Sequence, residues 1–235
     1  MNQQHADTGS NGGMPRVIVL EMYGRSIKNY NYLVVDPGCS QAVIVDPAWE
    51  MEKIDQALVD AQASLSGVLI THAHPDHIHL AKPIATKYGC PIWMSKEEAA
   101  TSGFSDSQLV EIDATPWIVG QMLIEPIFTP GHTPGCMCYL IGNNLFTGDV
   151  LFAEGCGICP DLQAAHAMFA SLEYVKTRLK PQMRIFPGHS YGKPPGQMVS
   201  RLLRENIYLQ FSNRESFAAF RLRKSQDTAR MFNFR

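Results

Sequence analysis

Four of the chain's eight histidines fall within the stretch Thr71-His-Ala-His-Pro-Asp-His-Ile-His79, and any fold the chain adopts must hold that stretch in one shape. The spacing H-x-H-x-D-H sets His72, His74, Asp76 and His77 in a single loop. Imidazole and carboxylate are ligands for zinc, iron and related ions, and four such groups exceed what one tetrahedral ion takes from one side. The loop therefore reads as part of a two-metal site. The apolar run Gly67-Val-Leu-Ile-Thr71 leads into it, which predicts a buried strand ending at the ligands. A chance surface cluster of histidines would need neither the aspartate nor the strand.

Three later positions carry the same residue types. His132 stands between two turns in Thr129-Pro-Gly-His-Thr-Pro-Gly135, Asp149 closes Phe146-Thr-Gly-Asp149, and His189 closes Ile185-Phe-Pro-Gly-His189. Each alone also reads as a turn or a helix cap. Together the four loops carry seven ligand-type residues, and a metal site needs ligands that converge from several strand ends. Strands are predicted near 16–22, 31–36, 42–46, 66–71, 91–94, 122–128, 136–142, 144–148 and 183–187, and helices near 50–63, 77–89, 163–179 and 197–210. Mixed strands and helices with ligands at strand ends fit an α/β fold, an αββα sandwich with the site along one edge of its two sheets.

In these motifs and their order, residues 15–195 resemble the metallo-β-lactamase-fold hydrolases of the glyoxalase II-like branch. The resemblance implies that His72, His74 and His132 hold one divalent ion, zinc first and iron or manganese next. Asp76, His77 and His189 would hold a second, and Asp149 would bridge both. Asp76 and Asp149 are then the catalytic carboxylates, as ligands before anything else. Flavodiiron proteins on this fold typically have glutamate where this chain has His74, which favours hydrolysis over oxygen reduction.

Two adjacent ions lower the pKa of water from about 15.7 towards 7, so hydrolysis needs no protein base. A thiolate leaves without a proton, since thiols have a pKa of about 8.5, whereas an amide nitrogen or an alkoxide must be protonated. No dedicated acid stands out in the sequence, so a thioester suits the site. Glyoxalase II and persulfide dioxygenases generally follow a Gly-Cys-Gly with a cation that helps hold glutathione. Here Ile158 follows Gly155-Cys-Gly157. Loss of a charged hydrogen-bonding partner costs about 1.5 to 3 kcal/mol, which disfavours glutathione thioesters.

A closer resemblance runs through Val45-Asp-Pro-Ala-Trp49, Ile92-Trp-Met-Ser95, Glu154-Gly-Cys-Gly-Ile-Cys159, Pro187-Gly-His-Ser-Tyr-Gly192 and Asn206-Ile-Tyr-Leu-Gln210. These are similar to the zinc-dependent hydrolases encoded with bacterial trans-acyltransferase polyketide synthases. That implies an acyl thioester on a phosphopantetheine arm, with an acidic acyl carrier protein as partner. Ile158, Tyr191, Arg221, Arg223 and Lys224 are the expected substrate-binding residues. The alternatives are a glutathione thioester hydrolase, a mononuclear iron persulfide dioxygenase and a non-catalytic carrier-binding module, with a β-lactamase behind them.

Composition sets the remaining bounds. A net charge of −2 gives no basic field for nucleic acid, and no apolar run reaches membrane length. Residues 1–14 read as a polar, mobile tail without the apolar stretch of a signal peptide, so a cytoplasmic location with reduced thiols is expected. Cys156 and Cys159 then read as ordinary thiols. Residues 196–235 read as a basic helical extension, with eight basic side chains against three acidic ones and aromatics that anchor it to the sandwich. His166 reads as a surface or packing residue. His79 is open between a pocket position and one beside the ligands.

Overall fold

Strand residues of alternate parity face different apolar layers, and this sorts the whole chain. The computed structural model describes residues 13–24 and 27–223. The first sheet takes β1 (Arg16–Tyr23), β2 (Lys28–Val35), β3 (Gln41–Val45), β4 (Ser64–Leu69), β5 (Ile92–Ser95) and β6 (Leu109–Ile112) in chain order. β1, β2 and β3 pair antiparallel; β3 to β6 run parallel. Parallel neighbours need crossovers, which α1 (Met51–Ala61), α2 (Pro75–Ile78) with α3 (Ala81–Tyr88), and α4 (Lys96–Ser102) provide. The second sheet has the order β12 (Gln197–Met198), β11 (Arg184–Pro187), β10 (Asn144–Gly148), β9 (Met137–Ile141), β8 (Met122–Phe128), β7 (Trp117–Val119). Its one parallel pair, β10 with β11, is spanned by α5 (Leu162–Arg178).

In β2 and β3, Tyr32, Val34, Val43 and Val45 face an inner cluster that Tyr139, Phe146 and Phe186 of the second sheet complete. Leu33, Val35, Ala42 and Ile44 face outward, onto Ile54 and Leu58 of α1 and Ile84 of α3. β9 divides likewise: Tyr139 and Ile141 face inward, while Cys138 and Leu140 meet Met168 and Leu172 of α5. Three apolar layers separate four layers of structure, the expected αββα sandwich. The C-terminal segment, α6 (Val199–Glu205), a 3-10 turn (Ile207–Leu209) and α7 (Arg214–Arg221), adds Leu202, Tyr208 and Phe217 to the α5 layer.

The sheets are stitched at the edge that carries the ligand loops. Met137 N–H donates to Thr71 O at 2.8 Å, Tyr30 N–H to Gly188 O at 2.9 Å, and the buried Tyr139 hydroxyl to Ile70 O at 2.8 Å. Tyr32 reaches Pro187 O in the same way. Among the described residues no helix is long and apolar enough to cross a membrane.

Several elements differ from the expected ones. The helix expected over 77–89 is two, α2 and α3, because Leu80 N–H is spent on Pro47 O at 2.9 Å and Pro83 has no N–H to offer His79. The helix expected over 197–210 opens instead as β12, which pairs with β11, and closes as a 3-10 turn capped by Asn206. The extension expected from residue 196 therefore starts inside the second sheet. β6, β7 and α4 were not expected from the sequence; they span three to seven residues and carry little periodic apolar signal. Most of the expected N-terminal tail, residues 1–12, lies outside the described residues.

Candidate metal centre

Each ligand follows a strand end. Val68, Leu69 and Ile70 are fully buried, which fixes the chain where His72 begins, and Pro75 starts α2 at a position where its missing N–H costs nothing. The turn of α2 then presents Asp76 and His77. His132 lies in the β8–β9 loop, Asp149 directly after β10 and His189 just after β11.

The structure brings all seven residues together. His74 Nδ1 lies 3.0 Å from His72 Nε2 and 3.1 Å from His132 Nε2. Asp76 Oδ2 lies 3.2 Å from His189 Nε2 and 3.7 Å from His77 Nε2. Asp149 stands between the groups: its Oδ1 is 3.5 Å from His77 Nε2, and its Oδ2 is 3.6 Å from both His132 Nε2 and His189 Nε2. Donors bound tetrahedrally at about 2.0 to 2.1 Å lie about 3.3 Å from one another, so these spacings suit ligands that share an ion. Gly188 makes the convergence possible, since a Cβ there would lie 2.5 Å from the His77 ring and 2.8 Å from Asp149 Oδ1.

The opposite ring nitrogens fix the tautomers. Carbonyl oxygens only accept, so His132 Nδ1–H donates to Ile158 O at 2.8 Å and His189 Nδ1–H to Lys28 O at 2.9 Å. His77 Nδ1 meets Asp46 Oδ2 at 2.9 Å. Thr71 Oγ1 donates to that same oxygen at 2.6 Å and so can accept from His72 Nδ1 at 3.1 Å. In each neutral ring the Nε2 lone pair is left facing the centre. His77 Nε2 and Asp149 Oδ1 are buried there without a hydrogen-bond partner, an arrangement that a cation would satisfy.

Electrostatics agree with a cation. Burial opposes a proton on His77, yet the carboxylates of Asp149, Asp46 and Asp76 hold its imidazole up at about 9. Burial raises the Asp76 carboxyl, but the His189 hydrogen bond and the charges of His77 and His189 outweigh that and keep it well below the carboxylate range. Burial first, and then the charges of His77, His132, His74 and His189, push His72 well below an ordinary imidazole. A concentration of carboxylate that would hold a proton also holds a dication.

The centre forms part of the wall of a cavity of about 800 Å³. His74, Asp76, His132, Asp149 and His189 face it, and Phe152, Ile158, Tyr191, Ile207, Tyr208, Phe220 and Arg223 complete much of the lining. Ile158, Tyr191 and Arg223 are thus at the cavity, as a substrate-binding role requires. Arg221 is not: only 3% exposed, it donates to the Tyr208 hydroxyl at 3.2 Å and lies beside Cys156 and Cys159. The reason is its place on α7, on the same face as Phe217 and Ala218. Lys224 lies outside the described residues.

All six cysteines are free; burial raises the Cys159 thiol to about 11 and the Cys156 thiol further. Both stay protonated at neutral pH, as ordinary thiols do. His79 packs at 4.8 Å against the Trp49 ring and accepts the Trp49 N–H at 3.1 Å, away from the cavity lining. His166, on α5, belongs neither to the donor groups nor to the lining.

Sequence reasoning missed the residues that hold the ligands. Asp46, buried beside His72 and His77, takes the Nδ1 side of the His77 ring and so orients it. Asn29 Nδ2 donates to Asp76 Oδ2 at 3.0 Å and to Asp76 O at 2.9 Å, while its Oδ1 accepts from Trp49 Nε1 at 3.0 Å. Glu98 joins the His72 and His132 loops. The one available signal was the Ser95-x-x-Glu98 helix start, which locates a helix and not the direction of a carboxylate.

Residues 28–189 match the Metallo-beta-lactamase superfamily, and the chain belongs to that family. Over 209 residues, 88% of this chain and 93% of the other, it is 42% identical to the probable polyketide biosynthesis zinc-dependent hydrolase BaeB of Bacillus velezensis. It is 31% identical over 167 residues to a hydroxyacylglutathione hydrolase of Pelagibacter ubique, covering 70% of this chain and 68% of that one. Its fold matches a metallo-beta-lactamase of Staphylococcus aureus with a TM-score of 0.80 at 21% identity, over 93% of this chain and 71% of that one. The resemblance read from the motifs holds at both levels, superfamily and polyketide-cluster hydrolases.

Proposed function

We propose that the protein is a zinc-dependent hydrolase of acyl thioesters carried on a phosphopantetheine arm. The observation that carries this reading is the pair of donor groups about Asp149 on the wall of a largely apolar cavity, with Ile158 beside them. The name of the Bacillus velezensis relative supports the hydrolase class, the metal and the setting in polyketide biosynthesis.

His72, His74 and His132 would hold one ion, and Asp76, His77 and His189 the other, with Asp149 shared. When bound, the ions supply a water of lowered pKa and Lewis acidity at the carbonyl oxygen. The chain's own residues do the positioning. Asn29 donates to the Asp76 carboxylate and to the Asp76 backbone carbonyl, so that Asp76 faces the second group in one orientation. Phe152, Ile158, Tyr208 and Phe220 present apolar surface to the acyl chain and thin out water around the reacting carbon. A thiolate departs from such a site without an acid. Arg223, the one arginine among the described lining residues, offers a charge partner for a phosphate on the arm or for an acidic carrier protein, the partner this reading proposes.

A glutathione thioester hydrolase is the second reading, supported by the Pelagibacter ubique relative. A panel of one acyl group on glutathione, coenzyme A, pantetheine and a carrier protein, assayed on zinc-loaded enzyme, separates the two. Pantetheine- or carrier-linked substrate should exceed the glutathione thioester in kcat/KM by about 10- to 100-fold, the worth of a missing charged partner. A preference for glutathione establishes the second reading instead. No hydrolysis of any member refutes both.

A further inference from the structure

Glu98, on α4, is a buried carboxylate held by three uncharged donors. It is 2% exposed; Oε1 accepts Ala73 N–H at 2.7 Å, and Oε2 accepts the Thr133 hydroxyl at 2.6 Å and Gly135 N–H at 3.0 Å. Ser95 works beside it. Its hydroxyl accepts Glu98 N–H at 3.0 Å, capping α4, and donates to Gly135 O at 2.6 Å. Gly135 lies so close that a Cβ on it would come within 2.1 Å of Glu98 N.

The donors lie in two loops from different sheets. Ala73 stands between His72 and His74 on the loop after β4, while Thr133 and Gly135 follow His132 in the β8–β9 loop. His74 Nδ1 meets His72 and His132 at 3.0 and 3.1 Å, so a shift of either loop disperses that group. Burying a carboxylate is costly unless its oxygens are fully used, and here every bond goes to a loop that carries a ligand.

We propose that Glu98, seconded by Ser95, is a positioning residue that clamps the His72 and His132 loops at the spacing one metal ion requires. This rests on the metal-binding part of the proposed function. A glutamine cannot replace the carboxylate. One of its two polar atoms is an NH2 donor, which would face Ala73 N–H or the Thr133 and Gly135 donors.

The test is competitive zinc titration of the full chain, with the cobalt-substituted absorption spectrum and the melting temperature of metal-free protein measured alongside. Glu98→Gln should weaken zinc binding by about 10- to 100-fold, as loss of a ligand-orienting partner does, and should alter the cobalt spectrum. Asp36→Asn is the control. Asp36 is equally buried, but it lies beyond the far end of β2 and binds Gly38 and Gln121, so its loss should lower the melting temperature and leave zinc affinity at the wild-type value. Should Glu98→Gln fail to fold, Thr133→Val decides, since it removes one clamp bond and should still weaken zinc several-fold. Wild-type zinc affinity in Glu98→Gln, or in Thr133→Val where that variant decides, overturns the clamp. A wild type that binds no zinc overturns the metal centre itself.

Discussion

Asp46 has φ +49°, in the left-handed region, and its carboxylate takes Thr71 N–H at 2.8 Å, the Thr71 hydroxyl and His77 Nδ1. Residues of this kind were the illegible part of the centre. The seven candidate ligands stood out because their side chains carry the chemistry wherever the backbone goes. Asp46, Asn29 and Glu98 matter for the direction in which a polar group turns, and that is settled only when the sheets meet. Ile158 lies between these cases: its carbonyl holds His132, while its side chain lines the cavity. Ile158→Arg keeps the backbone bond and adds the missing cation. The variant should lower KM for a glutathione thioester by up to about 100-fold, the upper end of a charge-assisted hydrogen bond, and leave zinc content unchanged. Steady-state kinetics with metal analysis reads both. An unchanged KM would mean that position 158 does not set the preference.

Among elements, the strands entering the site were legible because each is a short apolar run closed by glycine, proline or a ligand. β12 and the α2–α3 break were less so, since both depend on backbone bonds to distant strands or loops. Asp36 shows the same kind of long-range tie. It accepts from Gly38 N–H at 2.7 Å in the β2–β3 turn and from Gln121 N–H in the β7–β8 turn, linking the two sheets. Burial raises its carboxyl, but the Gln121, Cys39 and Gly38 donors outweigh that and hold it below the ordinary value. A depressed folded pKa means a stabilisation present above the unfolded pKa, about 3.9, and lost as pH falls through the folded value. Asp36→Asn should therefore cost about 1 to 3 kcal/mol at pH 7, and the gap from wild type should shrink below about pH 4. Urea unfolding across that range measures it. A gap that stays constant in acid would assign the loss to packing.

At the scale of the whole molecule, the sequence predicted the sandwich and anchoring aromatics in the tail; Phe217, Phe211 and Phe220 do cluster on Tyr208, while Phe232 and Phe234, expected with them, lie outside the described residues. Of the eight basic side chains of the tail, Lys224, Arg230 and Arg235 lie outside the described residues. Arg201 pairs with Glu205 at 2.9 Å and Arg214 with Glu215 at 2.8 Å, and Arg221 is buried beneath the cavity. Arg223 is the described basic residue of the tail that lines the cavity, and the proposed function assigns recognition of substrate charge to it.

Everything proposed for the chemistry depends on two ions sharing Asp149. Zinc per chain, measured by elemental analysis after equilibrium dialysis, addresses that directly for wild type and Asp149→Ala. Wild type should hold close to two zinc ions, and Asp149→Ala should lose affinity at both positions, because Asp149 Oδ1 faces His77 while its Oδ2 faces His132 and His189. One ion per saturated wild-type chain, with a variant that binds as wild type does, would contradict the dinuclear centre.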